Sequence, residues 1–356
     1  MTAFAASWIS HLAVGGVQAA AVGLLVLALV RLAPRSSATW RHALLALALV
    51  KFALPPMIPF PSGLFTVMTP VVRPPFGEME SALRGGELAI ALLVAHVVGM
   101  LVMTGRVALG WRAWRRWIAA SSRDQELSEL ARSLALESGW RGASPEVRIG
   151  ASLPVPLAGG VRTPVILLPA RFAGSAARER LELVLRHELE HITRRDPLWN
   201  LAGSLLRTLW WWHPVLALLL REMRRVREER CDDAVVSIAP ERARDYAHAL
   251  IDLVPRAASI AIPLPACGAT GSLFERRLRR LLDDGAVRRP AIGRAARLAI
   301  ALLALVTLPG FGLARLDVLR FPRHQGGAAV EGATPHAHDH RHIHGPAGQP
   351  PAASQH

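Results

Sequence analysis

The sequence predicts a mainly α membrane protein, with four transmembrane helices and one α+β domain inserted between the third and the fourth. Of its 356 residues, 51% are hydrophobic and the mean hydropathy is positive, which favours membrane spans over a single soluble core. Arginine clusters flank the apolar runs, as the positive-inside rule predicts. Between the third and fourth runs lie about 180 residues of mixed composition, a normal size for one domain.

The membrane region, residues 1–110, is predicted to contain three helices at about 9–32, 42–60 and 88–106. The first follows from the uncharged run LAVGGVQAAAVGLLVLALV, which is about as long as a spanning helix requires. No Lys or Arg precedes it, whereas Arg31, Arg35 and Arg41 follow it. We therefore expect the N-terminus outside and these arginines in the cytoplasm. The second run is shorter and is interrupted by Lys51 and two prolines.

The third run ends in a series of arginines that begins at Arg106, so the chain is expected to return to the cytoplasm there. Residues 111–293 would form the cytoplasmic domain. A fourth helix is predicted at residues 294–315, after Arg288 and Arg289, and would carry the C-terminus outside. Arginines also follow this last helix, so the charge rule is satisfied only weakly at this point.

The basic charge of the chain points to a membrane and not to nucleic acid. The net charge is +15, and Lys51 is the only lysine, so the positive charge is nearly all arginine. These arginines flank apolar runs, and the sequence contains no recognisable nucleic-acid reading module, so no direct nucleic-acid binding is expected. Two cysteines, Cys231 and Cys267, form no disulfide framework and indicate a reducing compartment.

The inserted domain alternates helical and strand-like patterns. A polar helical pattern covers residues 122–139, and β-branched runs broken by Pro and Gly follow, one of them the predicted strand Val165–Leu168. Residues 176–195 are helical in pattern. An apolar stretch, residues 198–220, precedes a highly charged helix at residues 221–236.

The helix at residues 176–195 contains the motif HELEH. His187 and His191 are four residues apart, so on a helix they lie on one face, where two imidazoles can share one zinc ion. Glu188 stands beside the first histidine, where a carboxylate can take a proton from a water that the metal activates. The motif arises by chance often enough that a third ligand is needed to support it.

A third ligand is available in the segment REERCDDAVV. Glu228 and Asp232 are four apart, so one carboxylate could bind the metal while the other accepts the second ring N–H of a ligand histidine. Glu229 and Asp233 repeat the same spacing, and the spacing alone does not choose between the two pairs. Asp196, five residues after His191, is a further candidate for orienting a ligand histidine.

This combination resembles the BlaR/MecR family of bacterial membrane metallopeptidases, which are zinc enzymes of the gluzincin type. The resemblance covers residues 1–315 and rests on RTPVILLP, HELEH with Asp196, WHP before a charged helix, and EERCDD. In that family the Glu of a Glu-x-x-Cys-Asp pattern is the third metal ligand, which favours Glu228 over Glu229. The resemblance also implies that Cys231 is a packed residue and not a ligand.

A zinc site of this kind constrains the membrane topology. If residues 198–220 crossed the bilayer once, Glu228 would end on the opposite side from His187 and His191. This segment is therefore expected to be interfacial or re-entrant and to turn near Pro214. Its tryptophans, Trp199 and residues 210–212, suit a membrane interface, although ordinary core packing would explain them equally well.

The predicted function is a membrane-embedded zinc endopeptidase with Zn²⁺ as its cofactor. Glu188 would activate water for attack on a peptide carbonyl, and the substrate is expected to pair with an edge formed by Val165–Leu168. The oxyanion needs a second donor, for which Tyr246, the only tyrosine, and the nearby His248 are candidates. Packing in the core is the commoner role for each of them.

The resemblance implies a signal transducer in the bacterial inner membrane that cleaves a cytoplasmic protein, in the family typically a winged-helix repressor. It also implies self-cleavage, for which residues 272–282 are the candidate segment; membrane lipid is an expected partner, and a homodimer is a further expectation. The best-known members carry an extracellular penicillin-binding domain after the last span. Residues 316–356 contain no Ser-x-x-Lys motif, so sensing of β-lactams by that route is not expected.

The tail, residues 316–356, is rich in Gly, Pro, Ala and His and is predicted to be disordered and extracytoplasmic. Its histidines could bind zinc, copper or nickel, although a tail without a role is the simpler interpretation. Two alternatives to a signal transducer are a quality-control or processing protease of the HtpX or CAAX type and an inactive membrane signalling scaffold. The first type usually has Ala where Cys231 stands, and the intact ligand set counts against the second.

Overall fold

The computed structural model describes residues 1–33, 36–54, 79, 81–83, 86–172, 178–251, 271–281 and 293–308. Outside the described residues lie the C-terminal tail, Cys267 and the ends of the predicted second and fourth spans. The described part is mostly helical, with one small sheet, as the sequence predicts. Its helices are α1 (Thr2–Leu32), α2 (Ala38–Ala53), α3 (Glu87–Ala119), α4 (Gln125–Glu137), α5 (Arg178–Thr193), α6 (Asp196–Leu209), α7 (Pro214–Ile238), α8 (Ala243–Ile251), α9 (Gly271–Leu281) and α10 (Arg294–Thr307).

Two helices of the described part, α1 and α3, are long and apolar enough to cross a membrane. Over half of the apolar window of α1 is buried, whereas α3 is almost bare, with 11% of its window buried. Helix α3 continues beyond the predicted end at residue 106 to Ala119, where Trp114 packs under the sheet. Helix α3 therefore runs without a break from the apolar helices of the membrane region into the inserted domain.

The sheet has the strand order β1-β2-β4-β3, with β1 at Ser122–Arg123, β2 at Glu146–Gly150, β3 at Leu157–Gly159 and β4 at Val165–Pro169. Strand β4 pairs in parallel with β2 and antiparallel with β3. The expectation that Val165–Leu168 forms an edge is therefore wrong, because β3 covers it. Strand β3 is only three residues long and includes Gly159, so its sequence gives little indication of a strand.

The core of the inserted domain lies between the sheet and helices α4 and α5. Helix α4 begins at Asp124, whose side chain accepts a hydrogen bond from the Leu127 backbone N–H at 2.9 Å. Its buried face and the leucines of α5 pack on one side of the sheet, the latter being Leu181, Leu185 and Leu189. Because residues four apart share a face, burial of this leucine row fixes which way the rest of α5 points.

Helices α6 and α7 form a hairpin that turns at residues 210–213. His213 caps α7, and Pro214 occupies its first turn, where the missing N–H costs no helical hydrogen bond. The turn reaches into the bundle, where Trp210 Nε1 donates to the Phe52 carbonyl at 3.0 Å and Trp211 lies against Gly99. A Cβ at Gly99 would come within 2.1 Å of the Trp211 ring, so a bare backbone is required there.

Candidate metal centre

Helix α5 presents two histidines on the face opposite its buried leucines. The rings of His187 and His191 lie with their centroids 4.9 Å apart and nearly perpendicular, at 89°. Both are buried, with 5% and 1% of their surface exposed. One helical turn therefore places the two imidazoles side by side, as the spacing of the motif predicts.

Helix α7 brings Glu228 to these two rings. Its Oε2 lies 3.6 Å from His187 Nε2, and its Oε1 lies 3.6 Å from His191 Nε2. One ligand atom from each of the three residues lies within 4.8 Å of the others. Ligands bound to one zinc at about 2.0–2.1 Å are separated by about 3.3 Å in a tetrahedral site, so small side-chain movements would suffice to hold a metal.

The neighbouring pair on α7 faces other groups. Glu229 forms ion pairs with Arg41 at 2.8 Å and Arg225 at 3.2 Å, and Asp233 binds Arg280 through both carboxylate oxygens at 2.6 and 2.9 Å. Neither residue belongs to the histidine cluster found among the described residues. The geometry therefore favours Glu228 where spacing left the choice open.

The outer nitrogen of His191 is held by Asp196. Its Nδ1 lies 2.7 Å from Asp196 Oδ2, and the Arg227 guanidinium donates to the Asp196 backbone carbonyl at 3.0 Å. Burial works to raise the pKa of Asp196, but the His191 contact and nearby arginines outweigh it, so the carboxylate stays ionised. Such a contact directs the Nε2 lone pair of His191 toward Glu228.

The turn between α5 and α6 places Asp196 there. Arg195 adopts a left-handed conformation, with φ at 56°, and Asp196 then opens α6 with Pro197 beside it. Helix α5 ends at Thr193, so this tight connection folds the first turn of α6 back onto His191. The sequence HITRRDP predicted the contact between His191 and Asp196 but not the left-handed conformation of Arg195.

Cys231 is fully buried, and its Sγ lies 3.4 Å from His191 Nδ1. With His191 and Asp196 it forms a second group of close ligand atoms. Burial raises the pKa of its thiol well above the ordinary value, and Asp196 already occupies His191 Nδ1. A neutral thiol is a poor metal ligand, so the cluster with Glu228 suits a metal better.

The outer nitrogen of His187 is held by Tyr246 and Asp232. Tyr246 Oη lies 2.7 Å from His187 Nδ1 and donates to Asp232 Oδ1, also at 2.7 Å. Asp232 Oδ1 itself lies 3.3 Å from His187 Nδ1. Burial raises the pKa of Tyr246 well above its usual value, so the phenol keeps the proton that it donates. His187 Nδ1 then donates to the phenol oxygen, so the lone pair lies on Nε2, which can face a metal and lies 3.4 Å from Arg277 Nη2.

Tyr246 therefore lies behind His187 and not on the side where the ligand atoms converge. The expectation that its hydroxyl serves as an oxyanion donor does not fit this position. His248 is exposed, because residues two apart on a helix point in nearly opposite directions and Tyr246 faces the core. The structure thus places neither residue where an oxyanion donor is needed.

Arg277, on α9, is a site residue that sequence reasoning missed. Its side chain is 95% buried; its Nε and Nη2 donate to the two oxygens of Asp232, and its Nη1 lies 2.9 Å from Glu228 Oε2. Helix α9 contains four arginines within five positions, RRLRR, and nothing in that pattern marks the second of them. Glu228 ionises readily as a result: burial opposes it, but Arg277 and the two histidines lower its pKa to about 2.

Glu188 completes the cluster. Its carboxylate is buried, and burial raises its pKa despite the two neighbouring histidines. Its Oε2 has no hydrogen-bond partner among the described residues, as is also true of one carboxylate oxygen each of Asp196, Glu228 and Glu229. A carboxylate left without a partner beside two imidazoles and a third carboxylate fits a site that accepts a metal and a polar substrate.

The donor set of two imidazole nitrogens and one carboxylate oxygen is typical of catalytic zinc sites, which keep a further position open. The three donors come from α5 and α7, and Asp196, Tyr246 and Asp232 hold the outer nitrogens of both imidazoles. The residues present therefore fit a zinc ion.

Comparisons with known proteins indicate a family of regulatory peptidases by name only, and they concern stretches of the chain and not single residues of the site. A family model described as BlaR1 peptidase M56 matches residues 11–280. The regulatory protein BlaR1 of Bacillus licheniformis is 37% identical over 81 residues, which are 23% of this chain and 13% of that protein. The alignment to that relative therefore spans only a small part of its length.

Proposed function

Because the chain belongs to the BlaR1 peptidase M56 family, we propose that it is a zinc-dependent endopeptidase of the membrane that transduces a signal by cleaving a cytoplasmic protein. The family match confirms the resemblance that the motifs indicated. One observation carries the proposal: the metal-facing atoms of His187, His191 and Glu228 converge, and polar groups hold both histidines from behind. The relative's description as a regulatory protein supports the regulatory part of the proposal.

The two apolar helices and the family membership indicate a membrane protein. For the finer topology we propose four spans, with both termini outside and the inserted domain in the cytoplasm of a bacterial inner membrane. The lack of burial on α3 supports contact with lipid, since Leu101 and Val102 are both more than half exposed.

The hairpin of α6 and α7 supports a re-entrant segment. Its turn lies against Gly16, midway along α1, and against Gly99 of α3. Leu198, Leu201 and Leu205 form an exposed apolar row on α6. Since the hairpin enters and leaves on one side, it keeps Glu228 on the same side as the two histidines, as the zinc site requires. We propose that it dips into the bilayer from the cytoplasmic side.

His187, His191 and Glu228 would hold the zinc ion. When bound, zinc supplies a Lewis acid that activates water and polarises a peptide carbonyl. Asp196 and Tyr246 keep the two imidazoles in the tautomer that presents Nε2. This division assigns Tyr246 to orientation of His187 and not to the oxyanion.

Glu188 would act as the general base. Its raised pKa brings a buried carboxylate closer to the working range of a proton acceptor. The unpartnered Oε2 would accept a proton from the attacking water and return it to the leaving nitrogen of the peptide. No other side chain occupies this oxygen among the described residues, so it is free to accept a proton.

The substrate needs an extended path to this site. We propose that it pairs with β3, at the end of the sheet, in place of the interior strand β4. Because all three residues of β3 are buried, this edge would have to be uncovered before a peptide could pair with it. Helix α5 contacts β3, so a peptide on this edge would pass beside the histidines. Self-cleavage at residues 272–282 would require α9 to unfold first, because residues 271–281 are helical and Leu281 is buried.

Zinc content and cleavage test the proposal together. The full chain, purified in detergent with and without the substitution Glu188→Gln, is incubated with a candidate repressor encoded beside it. We expect wild type to contain zinc and to cleave, and Glu188→Gln to contain the same zinc without cleaving. Undiminished cleavage by this variant would refute the mechanism. Cleavage of unfolded membrane proteins but of no repressor would favour a quality-control protease.

A further inference from the structure

Arg277 contacts two of the three proposed ligands from a helix that carries none of them. Its Nη1 lies 2.9 Å from Glu228 Oε2, and its Nη2 lies 3.4 Å from His187 Nε2. The side chain is 5% exposed, so water does not screen these contacts strongly. A buried cation beside a metal centre needs compensation, and Asp232 provides it.

The pairing with Asp232 fixes the plane of the guanidinium. Nε donates to Asp232 Oδ2 at 2.9 Å, and Nη2 donates to Oδ1 at 2.7 Å. Two parallel bonds of this kind fix orientation as well as distance. Since this edge of the guanidinium is occupied, Nη1 is the nitrogen left to face Glu228, and its direction is set by Asp232.

The same Asp232 oxygen also accepts the hydroxyl proton of Tyr246, which holds His187. One carboxylate therefore connects Arg277 to His187, while Arg277 itself connects to Glu228. The two ligands come from different helices, α5 and α7, and Arg277 of α9 fixes them relative to each other.

We propose that Arg277 is a positioning residue of the metal centre. Its ion pair with Glu228 Oε2 keeps Oε1 directed toward His191, and its two hydrogen bonds fix Asp232 beside His187. A complete centre then requires α9 to be docked on α7. This inference rests on the proposed function, because it presumes that Glu228 and His187 bind a metal.

The structure offers a matched control in Arg280. It also joins α9 to α7 through a bidentate pair, with Asp233 at 2.6 and 2.9 Å. Arg280 thus makes the same type of contact between the same two helices, but with the carboxylate that lies one position further along. A role in docking alone would make Arg277 and Arg280 equivalent.

The test is the zinc affinity of the metal-free full chain in detergent, measured by competition with a coloured chelator. We expect Arg277→Gln to bind zinc about 10–100-fold more weakly than wild type, the usual cost of losing an outer contact to a ligand. Arg277→Lys should recover only part of the loss, because an ammonium cannot form the fork. Arg280→Gln should bind zinc as tightly as wild type, because Asp233 does not face the histidines.

Melting temperatures of the metal-free proteins separate positioning from folding. Both Gln variants lose a bidentate pair between α9 and α7 and should melt at lower temperatures than wild type, although only Arg277→Gln loses zinc affinity. If Arg277→Gln does not fold, Arg277→Lys and Arg280→Lys form the deciding pair, and we expect weaker zinc binding only in the first.

Two results would overturn the inference. Equal zinc affinities of the Arg277 and Arg280 variants would reduce Arg277 to a docking residue, and tighter binding by Arg277→Gln would make it a competitor of the metal. His191→Ala distinguishes these results from failure of the proposed function. If wild type and His191→Ala bind zinc equally, the metal centre itself is refuted.

Discussion

Two carboxylate pairs lie next to each other on helix α7 and share their spacing and their burial, but not their surroundings. Glu228 and Asp232 face two imidazoles, a phenol and Arg277. Glu229 and Asp233, one position along, face the three guanidinium groups of Arg41, Arg225 and Arg280. Arginine compensates the charge of both pairs, but Glu228 also lies 3.6 Å from a ring nitrogen of each histidine and can share a metal with them, whereas Glu229 and Asp233 face arginines. The comparison shows that the partner helices, and not the spacing, assign the chemistry.

The largest effect is expected at the base that faces the first pair. Glu188→Gln keeps the shape of the side chain but cannot accept a proton, so cleavage should slow by about 10²–10⁴-fold. Zinc content should not change. The measurement is the initial rate of cleavage, with Glu190→Gln as the control on the same helix, since Glu190 pairs with Arg194 at 2.7 Å. Equal rates for the two variants would contradict the assignment of Glu188.

The two aspartates allow the pairs to be compared directly. Asp232→Asn weakens the fork with Arg277 and the contact with Tyr246, and we expect zinc affinity to fall by about 10–100-fold. Asp233→Asn weakens the pair with Arg280 and should lower the melting temperature without changing zinc affinity. Chelator competition on both variants checks this. An equal loss of zinc affinity would show that the pairs do not differ as described.

A smaller effect is expected at Tyr246. Removal of its hydroxyl by Tyr246→Phe leaves Asp232 only 3.3 Å from His187 Nδ1, close enough to replace part of the contact. Zinc affinity should therefore fall by about tenfold, at the low end for such contacts. His248→Ala, on the exposed face of the same helix, serves as the control and should match wild type. If both variants bind zinc as tightly as wild type, Tyr246 does not orient His187.

The smallest effect on the metal is expected at Arg41. Arg41→Gln removes one arginine from Glu229 while Arg225 stays paired with it, so stability should fall by less than about 3 kcal/mol, the cost of leaving a buried charge without a partner. Zinc affinity should stay at the wild-type value, because Glu229 does not face the histidines. The melting temperature and the chelator assay are measured on the same sample. A large loss of zinc affinity in Arg41→Gln would show that Glu229 and Asp233 also affect the metal centre, contrary to the comparison.

Sequence reasoning reached the parts of the site that depend on spacing within one element. The four-residue step placed His187 and His191 on one face, and the burial of the leucine row on α5 follows from the same periodicity. The turn near Pro214 followed from the requirement that all ligands lie on one side. These inferences need only helical geometry and one topological condition.

The parts that sequence reasoning missed depend on contacts between elements. Arg277 could not be distinguished from its neighbours in RRLRR, because only the docking of α9 decides which arginine is buried. Strand β3 was too short to be recognised, so β4 was assigned to an edge that β3 occupies. The position of Tyr246 relative to His187 could not be inferred, because spacing along one helix does not give the direction of approach of another.

The most direct test of the central claim is the zinc content of three proteins: wild type, Glu228→Gln and Glu229→Gln. Each is purified in detergent, equilibrated at one zinc concentration and analysed for bound metal. We predict equal zinc contents in wild type and Glu229→Gln, and about one zinc ion per chain less in Glu228→Gln, a difference to which zinc on the histidines of the tail does not contribute. Full zinc content in Glu228→Gln, or a loss confined to Glu229→Gln, would contradict the account.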